Sequence, residues 1–586
     1  MPKPTEDIVR YIGVDFGTST SVLCYKDYQG KKEFSGIQTP AIDPASGRNL
    51  VPTVIYDEPG GGRLYGAAAE KRGVNKPDRM HRNFKMDLVS SDAKARHRAE
   101  ELMDDFFAFL YGRYRETSQQ MTEHELASEH TYVSYPAKWP DTVRQRTLEA
   151  ARKAGFPDVK GVDEPSAAMQ AVVLTRNPQT DALIARGVIH EDRALNVLLL
   201  DMGAGTTDLV LYRYQPQADE QKVLATWPPV DNPGTFGGRE VDAVLTGYLQ
   251  RWLQGRLPGV SQVKGLLDQS PIEVRRWKEE LSRELRRVAV AEVVPEFLRG
   301  VTALHPEFTP DSFPPLSRDE VGKQLDGYLG RLPTLVRELL EHATALGSIG
   351  GGDDVDVVVL TGGHCQWFFV KEILAGRWIP GLPGSAASGS GVRLGKIGGD
   401  TDRIVEMAQP QETVAQGLAL MGSPIRIAKL ASNRAWLRLK VSVSDSVDIQ
   451  MVDVGERLPV RKKFAFKRFD ARYRPAQSIP VEWTPLFGTE LRTARAFDTD
   501  RFALETTDLV EVFAAFFAEK FGGIIDDTAE VAFEVSVDET EHLTAVGLLK
   551  GGDGFDDVKF FAINRDEPTP AEQAELRRKH QRQRSL

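Results

Sequence analysis

Apolar residues from Ile8 to Phe16 form a run that predicts a buried strand, and after a glycine-containing turn Ser21 to Tyr25 predicts its returning partner. Much farther along, Asn196 to Leu200 repeats the apolar run, Asp201 to Asp208 supplies a turn, and Leu209 to Tyr212 returns. The segments DFGTSTSV and DMGAGTTDLV echo one another, and a duplicated lobe is the economical explanation. Between them Tyr132 to Tyr135 predicts a strand, followed by a helix that starts near Asp141 as N-cap and stops at Gly155; a second helix follows Pro165. Val355 to Leu360 continues the alternation, so the class is α/β. Phe106, Phe107, Phe109, Leu110 and Tyr114 share near-helical spacing and read as a buried helix face. The stretches Gly350 to Gly352 and Gly381 to Gly391 read as surface loops.

The texture changes after about residue 425. Leu437, Leu439, Val441 and Val443 alternate with Arg438, Lys440 and Ser442, as on a half-buried strand, and Val531, Phe533, Val535 and Val537 repeat the pattern. Thr507 to Phe521 reads as a helix ending at Gly522. With 586 residues the chain exceeds what one hydrophobic core serves. The expected domains are residues 1–190 and 191–424 as two lobes, 425–568 as a β-rich domain, and 569–586 as a short basic helix or tail.

Composition narrows the function classes. A formal charge of −10 argues against a broad surface for nucleic acid or anionic membrane, although small anions can still bind through backbone amides. No apolar run has the length of a signal peptide or a membrane span. Two cysteines, Cys24 and Cys365, are too few for a disulfide framework or a structural zinc site, which fits a reducing, cytoplasmic setting.

Asp15, Gly17, Thr18 and Ser19 place a carboxylate at a strand end before a glycine turn with hydroxyls. Such a turn can direct amides at phosphate, because glycine allows the needed dihedrals and close approach; the same residues also suit an ordinary hairpin. Asp201, Gly203, Gly205, Thr206, Thr207 and Asp208 repeat the chemistry with more glycine. Two facing turns can wrap both sides of a triphosphate, and one carboxylate from each suits magnesium held through water. A third element, Val357 to Gly363, is a buried strand ending in two glycines, and Gln411 to Gly417 opens a later helix.

In order, DFGTSTS, YPAKWPDTVRQRTLEAARKAG, DEPSAAMQAV, DMGAGTTDLVL, FGGREVDAVL, VVVLTGG and PQETVAQGLAL resemble the nucleotide-binding domain of DnaK-type heat-shock chaperones, from Ile8 to about Met421. The resemblance implies a two-lobed actin-like ATPase fold with ribonuclease-H-like subdomains. It implies that Asp15 and Asp201 organise hydrated Mg2+, that Gly17, Thr18, Ser19, Gly203, Gly205 and Thr206 bind phosphate, and that Asp208 helps to position the attacking water. Lys85, in HRNFKMDL, falls at the family's catalytic lysine, and Glu164 matches its glutamate beside the phosphates. Read alone, Lys85 is an ordinary surface lysine. Gly237 and Gly238 match a turn near the nucleotide, Gly362 and Gly363 the adenosine-side turn, and Lys278 part of the adenine sandwich.

The chain also departs from that pattern. Glu279 stands where a stacking arginine is expected, and His364, Cys365 and Gln366 follow the glycines in place of serine, threonine and arginine. An acid cannot stack on a base as guanidinium does, which bears on adenine selectivity at Gln366 and Glu279. His364 and Cys365, without partner motifs, read as loop or core residues. The segment GSPIRIAKLASNRA, at the place of the family's acidic, leucine-rich linker, is basic, and residues after Thr569 have room for one short helix rather than a lid.

The expected function is a divergent chaperone-like ATPase that binds ATP and ADP with Mg2+, hydrolyses slowly, and couples nucleotide state to an unfolded peptide or a dedicated protein partner, with cochaperones possible. An actin-like scaffold or regulator of one partner, and a sugar-kinase-like phosphotransferase, are the alternatives on the same fold.

Overall fold

The apolar run IVRYIGVD forms strand β1 (Ile8–Asp15) and TSVLCYKDYQ forms β2 (Thr20–Gln29). They pair antiparallel with Gly13 opposite Cys24 and Asp15 opposite Val22. β3 (Lys32–Glu33) extends the sheet beyond β2. On its other side β1 pairs in parallel with β4 (Ser128–Tyr135), which pairs in parallel with β5 (Val159–Asp163). The computed structural model describes residues 7–73, 76–121, 124–137, 139, 141–175, 177–190, 192–216, 220–227, 236–256, 271–296, 298–299, 309, 313–377, 394–428, 433–440, 446–452, 457–466, 481–487, 502–504, 531–537, 543–550 and 557–561.

A second sheet repeats this plan. β6 (Leu195–Met202) is flanked antiparallel by β7 (Thr207–Tyr214), and β7 by β8 (Glu220–Trp227). On the other side β6 pairs in parallel with β9 (Val357–Thr361), which pairs with β10 (Ile404–Glu406). The orders β3-β2-β1-β4-β5 and β8-β7-β6-β9-β10 are the same topology, so the short echo in sequence extends to five strands. Every residue of LNVLLLDM is buried, as a strand covered on both faces requires.

The strands are longer than their apolar runs. Asp201 and Asp208 were expected within the turn, yet they face each other across the last rungs of the β6–β7 ladder, leaving Gly203 to Thr206 as the bend. Backbone pairing continues through Met202 and Thr207 and sets both carboxylates next to the end of the ladder.

Helices cover the sheets. α1 (Ala93–Met121) buries Phe106, Phe107, Leu110 and Tyr114 against Phe16 and Phe156. α2 (Asp141–Ala154) stops at Gly155, whose φ of 104° only glycine adopts easily. α3 (Glu164–Leu174) begins where the Asp163 carboxylate accepts from the Ser166 amide at 3.0 Å, with Pro165 in its first turn. α4 (Gly238–Arg256) and α5 (Pro271–Leu285) lie over the second sheet, and α6 (Thr413–Ala419) packs on α3 and β1. A Cβ on Gly417 would lie 1.7 Å from the Ala167 carbonyl oxygen, and one on Gly13 2.3 Å from that of Ala415. Both glycines are required by backbone contact.

The chain divides into two compact units, Met1–Ile427 and Ala428–Leu586. Both sheets above belong to the first. In the second, Asn433–Lys440, Ser446–Val452, Val481–Phe487 and Phe502–Leu504 form one four-stranded antiparallel sheet, and Val460–Phe466, Val531–Val537, Leu543–Lys550 and Asp557–Phe561 form another. The expected helix at 507–521, the loop at 381–391 and the tail at 569–586 lie outside the described residues.

Candidate functional site

Asp15 ends β1, and the chain turns at once through Phe16 to Ser19. Phe16 anchors this turn in the aromatic core beside Phe84 and Phe107. A Cβ on Gly17 would stand 2.1 Å from the Thr20 carbonyl oxygen, so the bend admits no side chain there. In the second turn the Gly203 amide donates to the Thr206 carbonyl at 2.9 Å. The start of α4 docks on that turn, with the Gly238 and Arg239 amides donating to the carbonyls of Gly203 and Ala204.

These turns face a common cleft of about 810 Å³. Asp15, Gly17, Thr18 and Ser19 line it from the first turn, and Asp201, Gly203 and Thr206 from the second. Lys85 and Glu164 line its inner end, and Gly238, Lys278, Gly362, Gly363 and Gln366 another wall. Gly205, Asp208 and Gly237 do not line it. Gly205 instead packs against Thr18 and Met86, Gly237 against the Ala204 carbonyl, and Asp208 is buried in β7 opposite Asp201. A Cβ on Gly362, which sits at φ 80°, would lie 2.4 Å from the Met202 carbonyl oxygen and 2.5 Å from Asp201 Oδ1, so the third glycine motif passes close over the second turn.

Lys85 is no surface lysine. It sits in the one-turn helix Phe84–Asp87, entered through Asn83 at φ 59°, and is 2% exposed. Its Nζ donates to Glu164 Oε1 at 2.7 Å and lies 5.2 Å from the ring centre of Trp139. The carboxylates around it are strained electrostatically. Burial, then the charge of Glu164, pushes Asp15 up to about 6, opposed by Lys85 and by the Ser134 hydroxyl donating at 2.6 Å. Burial pushes Asp201 well above the usual range, helped by Glu164, Asp208 and Asp15 and opposed by Lys85. Asp15, Glu164 and Asp201 share one ammonium, with Asp208 pressing on Asp201, which leaves this end short of positive charge. A hard divalent cation suits all-oxygen donors of this kind. Among the described residues no three potential ligands are grouped to grip an ion directly, and two carboxylates acting through water are what Asp15 and Asp201 can offer.

On the other wall, Lys278 is buried, 2.6 Å from Asp242 Oδ1 and 3.2 Å from the Gly238 carbonyl, which it holds in place. The Gln366 carbonyl accepts from Arg286 Nε at 3.1 Å, fastening the base-side turn to the end of α5. Glu279 is exposed and pairs with Arg275 at 3.6 Å. His364 is buried and bonded to the Tyr328 hydroxyl at 2.7 Å; burial and the charge of Lys278 keep it neutral. Burial likewise pushes the Cys365 thiol well up, which suits core residues rather than a base and a nucleophile.

Sequence reasoning passed over Ser134, Trp139 and the arginines Arg48, Arg275, Arg276, Arg283 and Arg286, of which the last five line the cleft. The signal was present for α5, since positions 275, 279, 283 and 286 recur at helical spacing along one face.

Residues 104–375 match the family model described as Hsp70 protein. A similar curated protein is the chaperone protein DnaK of Thermosipho melanesiensis, 23% identical over 368 residues, covering 62% of this chain and 54% of that protein. The chain thus spans about half the length of the curated relative it matches. The family match includes the second turn, Glu164 and the third glycine motif, while Asp15 and Lys85 precede it. Among the described residues no helix is long and apolar enough to cross a membrane. The matched segment and the relative together support a divergent likeness of this chain to the DnaK/Hsp70-type family.

Proposed function

We propose that the first unit is a chaperone-like ATPase: it binds Mg-ATP between the two turns, hydrolyses it slowly, and passes the difference between ATP and ADP to a peptide or protein partner held by the second unit. The observation that carries the reading is that Asp15 and Asp201, at equivalent strand ends of two topologically equal sheets, line one cleft with Lys85. No pairing of remote surface turns would do so.

In this reading the amides and hydroxyls of Gly17, Thr18, Ser19, Gly203 and Thr206 hold the phosphates, with Gly205 keeping the second turn against Thr18. Asp15 and Asp201 hold magnesium through water, and the ion supplies charge that neutralises the phosphate oxygens. Lys85 directs its ammonium at the γ-phosphoryl group, Glu164 fixes the Lys85 side chain, and Asp208 acts through Asp201, the carboxylate it faces. Such catalysis is mostly positioning and electrostatics. Gly237, Gly238, Lys278, Gly362, Gly363 and Gln366 shape the nucleoside side. An unfolded peptide or dedicated partner, cochaperones and a cytoplasmic setting belong to the same proposal, coupled through differential binding to two states.

The test is a titration of Mg-ATP followed by thermal stability and phosphate release, with wild type beside Asp201→Asn. A ligand at a hundred times its Kd stabilises by about 2.7 kcal/mol. Wild type is expected to gain a stabilisation of that order and to release phosphate slowly, with both lost in Asp201→Asn. A wild-type melting curve unmoved by Mg-ATP would refute the reading.

A further inference from the structure

The rim of the cleft is rich in arginine on a chain whose net charge is −10. α5 contributes Arg275, Arg276 and Arg283, with Arg276 and Arg283 two turns apart on one side, and Arg48 lies among the cleft residues of the first lobe. Their neighbours are committed: Lys278 to Asp242 at 2.6 Å, and Arg286 to Glu406 at 3.0 Å. Arg275 is partly engaged by Glu279 at 3.6 Å. Among the described residues, Arg48, Arg276 and Arg283 have no carboxylate within 4.0 Å.

Arg82 adds an independent sign. It closes the strand Met80–Arg82 of the first lobe, is half-buried, and donates from Nε and from one terminal nitrogen to the Met80 sulfur at 3.2 and 3.1 Å. A thioether is a weak acceptor for a guanidinium withdrawn from water. Burial lowers its proton affinity, the charge of Glu70 raises it, and that of Arg275 across the cleft lowers it again. Guanidinium groups from both lobes thus line one cleft, Glu279 and Asp242 are engaged by Arg275 and Lys278, and an anion among Arg48, Arg276 and Arg283 would supply the counter-charge that these three lack.

We propose that this rim is a second anion subsite, in which Arg276 and Arg283, with Arg275, Arg48 and Arg82 around them, take a phosphate carried on the ribose of the bound nucleotide. The ligand class is a nucleoside polyphosphate phosphorylated on its sugar as well as on its 5′ chain. This rests on the nucleotide reading above. With the 5′ chain held between the two turns, the sugar projects along α5, where Lys278 is followed about one turn later by Arg283. Guanidinium forks match phosphate oxygens in pairs, which gives the preference its strength.

Calorimetric titration of the full chain, with magnesium present, compares ADP with ADP carrying a ribose phosphate. The expected result is that the second binds about tenfold more tightly or better. That ratio is expected to fall toward one in the double variant Arg276→Ala, Arg283→Ala, and as salt screens the rim. Both side chains are exposed, so the fold is not at stake. Equal wild-type affinities overturn this proposal and leave the nucleotide reading standing, whereas no binding of either ligand overturns both. A ratio that persists in the double variant, or a gain reproduced by ADP with free inorganic phosphate, also overturns it.

Discussion

The two sheets of the first unit share one strand order, yet their turns are built differently. The first turn is anchored: Phe16 enters the aromatic core, Ser134 donates to Asp15, and the Thr53 hydroxyl donates to the Gly17 carbonyl at 2.8 Å. The second turn is held by backbone alone on several sides, from Gly238, Arg239 and the close approach of Gly362. Asp15 is pressed by one other carboxylate and eased by Lys85 and a hydroxyl, while Asp201 is pressed by three other carboxylates and relieved by Lys85. Equal topology thus does not mean equal chemistry: the first half brings the ammonium and a firm support, and the second brings the more strongly perturbed acid.

The largest expected effect removes the ammonium that the first half brings, at Lys85. Removing one member of a buried pair costs about 3–5 kcal/mol. Lys85→Met should lose that much by urea unfolding and slow phosphate release about a hundredfold or more. The double variant Lys85→Met, Glu164→Gln should regain stability without regaining turnover; turnover that returns with stability would remove Lys85 from the chemistry. Next comes the helix contact. Gly417→Ala drives a methyl into the Ala167 carbonyl, and overpacking of this kind reaches about 3 kcal/mol. A change near zero would mean that α6 and α3 slide apart freely.

Two smaller effects sharpen the contrast between the aspartates. Without ligand, Asp201→Asn should raise the melting temperature more than Asp15→Asn, since neutralising the more perturbed carboxylate relieves more burial of charge. The reverse order would show that Asp15 is the more strained acid. The smallest effect is in pH. Asp15 is pushed from 3.8 to about 6 in the folded chain, so the folded state holds its proton more tightly than the unfolded one. Its contribution to stability is fully present below 3.8 and is lost as pH rises through about 6. Stabilisation by Mg-ATP should therefore grow as pH rises through that value, because the ionised acid is the form that holds the cation. Ser134→Ala, which deletes a hydrogen bond worth about 1.5 kcal/mol, should move that midpoint upward. A midpoint unchanged in the variant would exclude Ser134 as a support of Asp15.

Much of the site was legible because its marks are local. Asp15 and Asp201 follow apolar runs, and Gly17, Gly203, Gly362 and Gly363 follow strand ends, so strand, bend and carboxylate are written within a few residues. The register that sets Asp201 opposite Asp208 was less visible, since apolar texture ends before the ladder does. Glu279 shows another boundary: its i,i+4 spacing from Arg275 is readable in the sequence, but that both residues line the cleft appears only in the fold.

The sequence by itself determined the α/β alternation, the repeated strand and turn, and the residues able to meet phosphate and a hard cation, because periodicity and glycine act over short stretches of chain. Only the tertiary structure decided that Lys85 is buried against Glu164, that two distant bends share one cleft, and that arginines of both lobes converge at its rim. Those outcomes depend on which surfaces exclude water together, and burial changes the energy of a charge far more than its neighbours in sequence do.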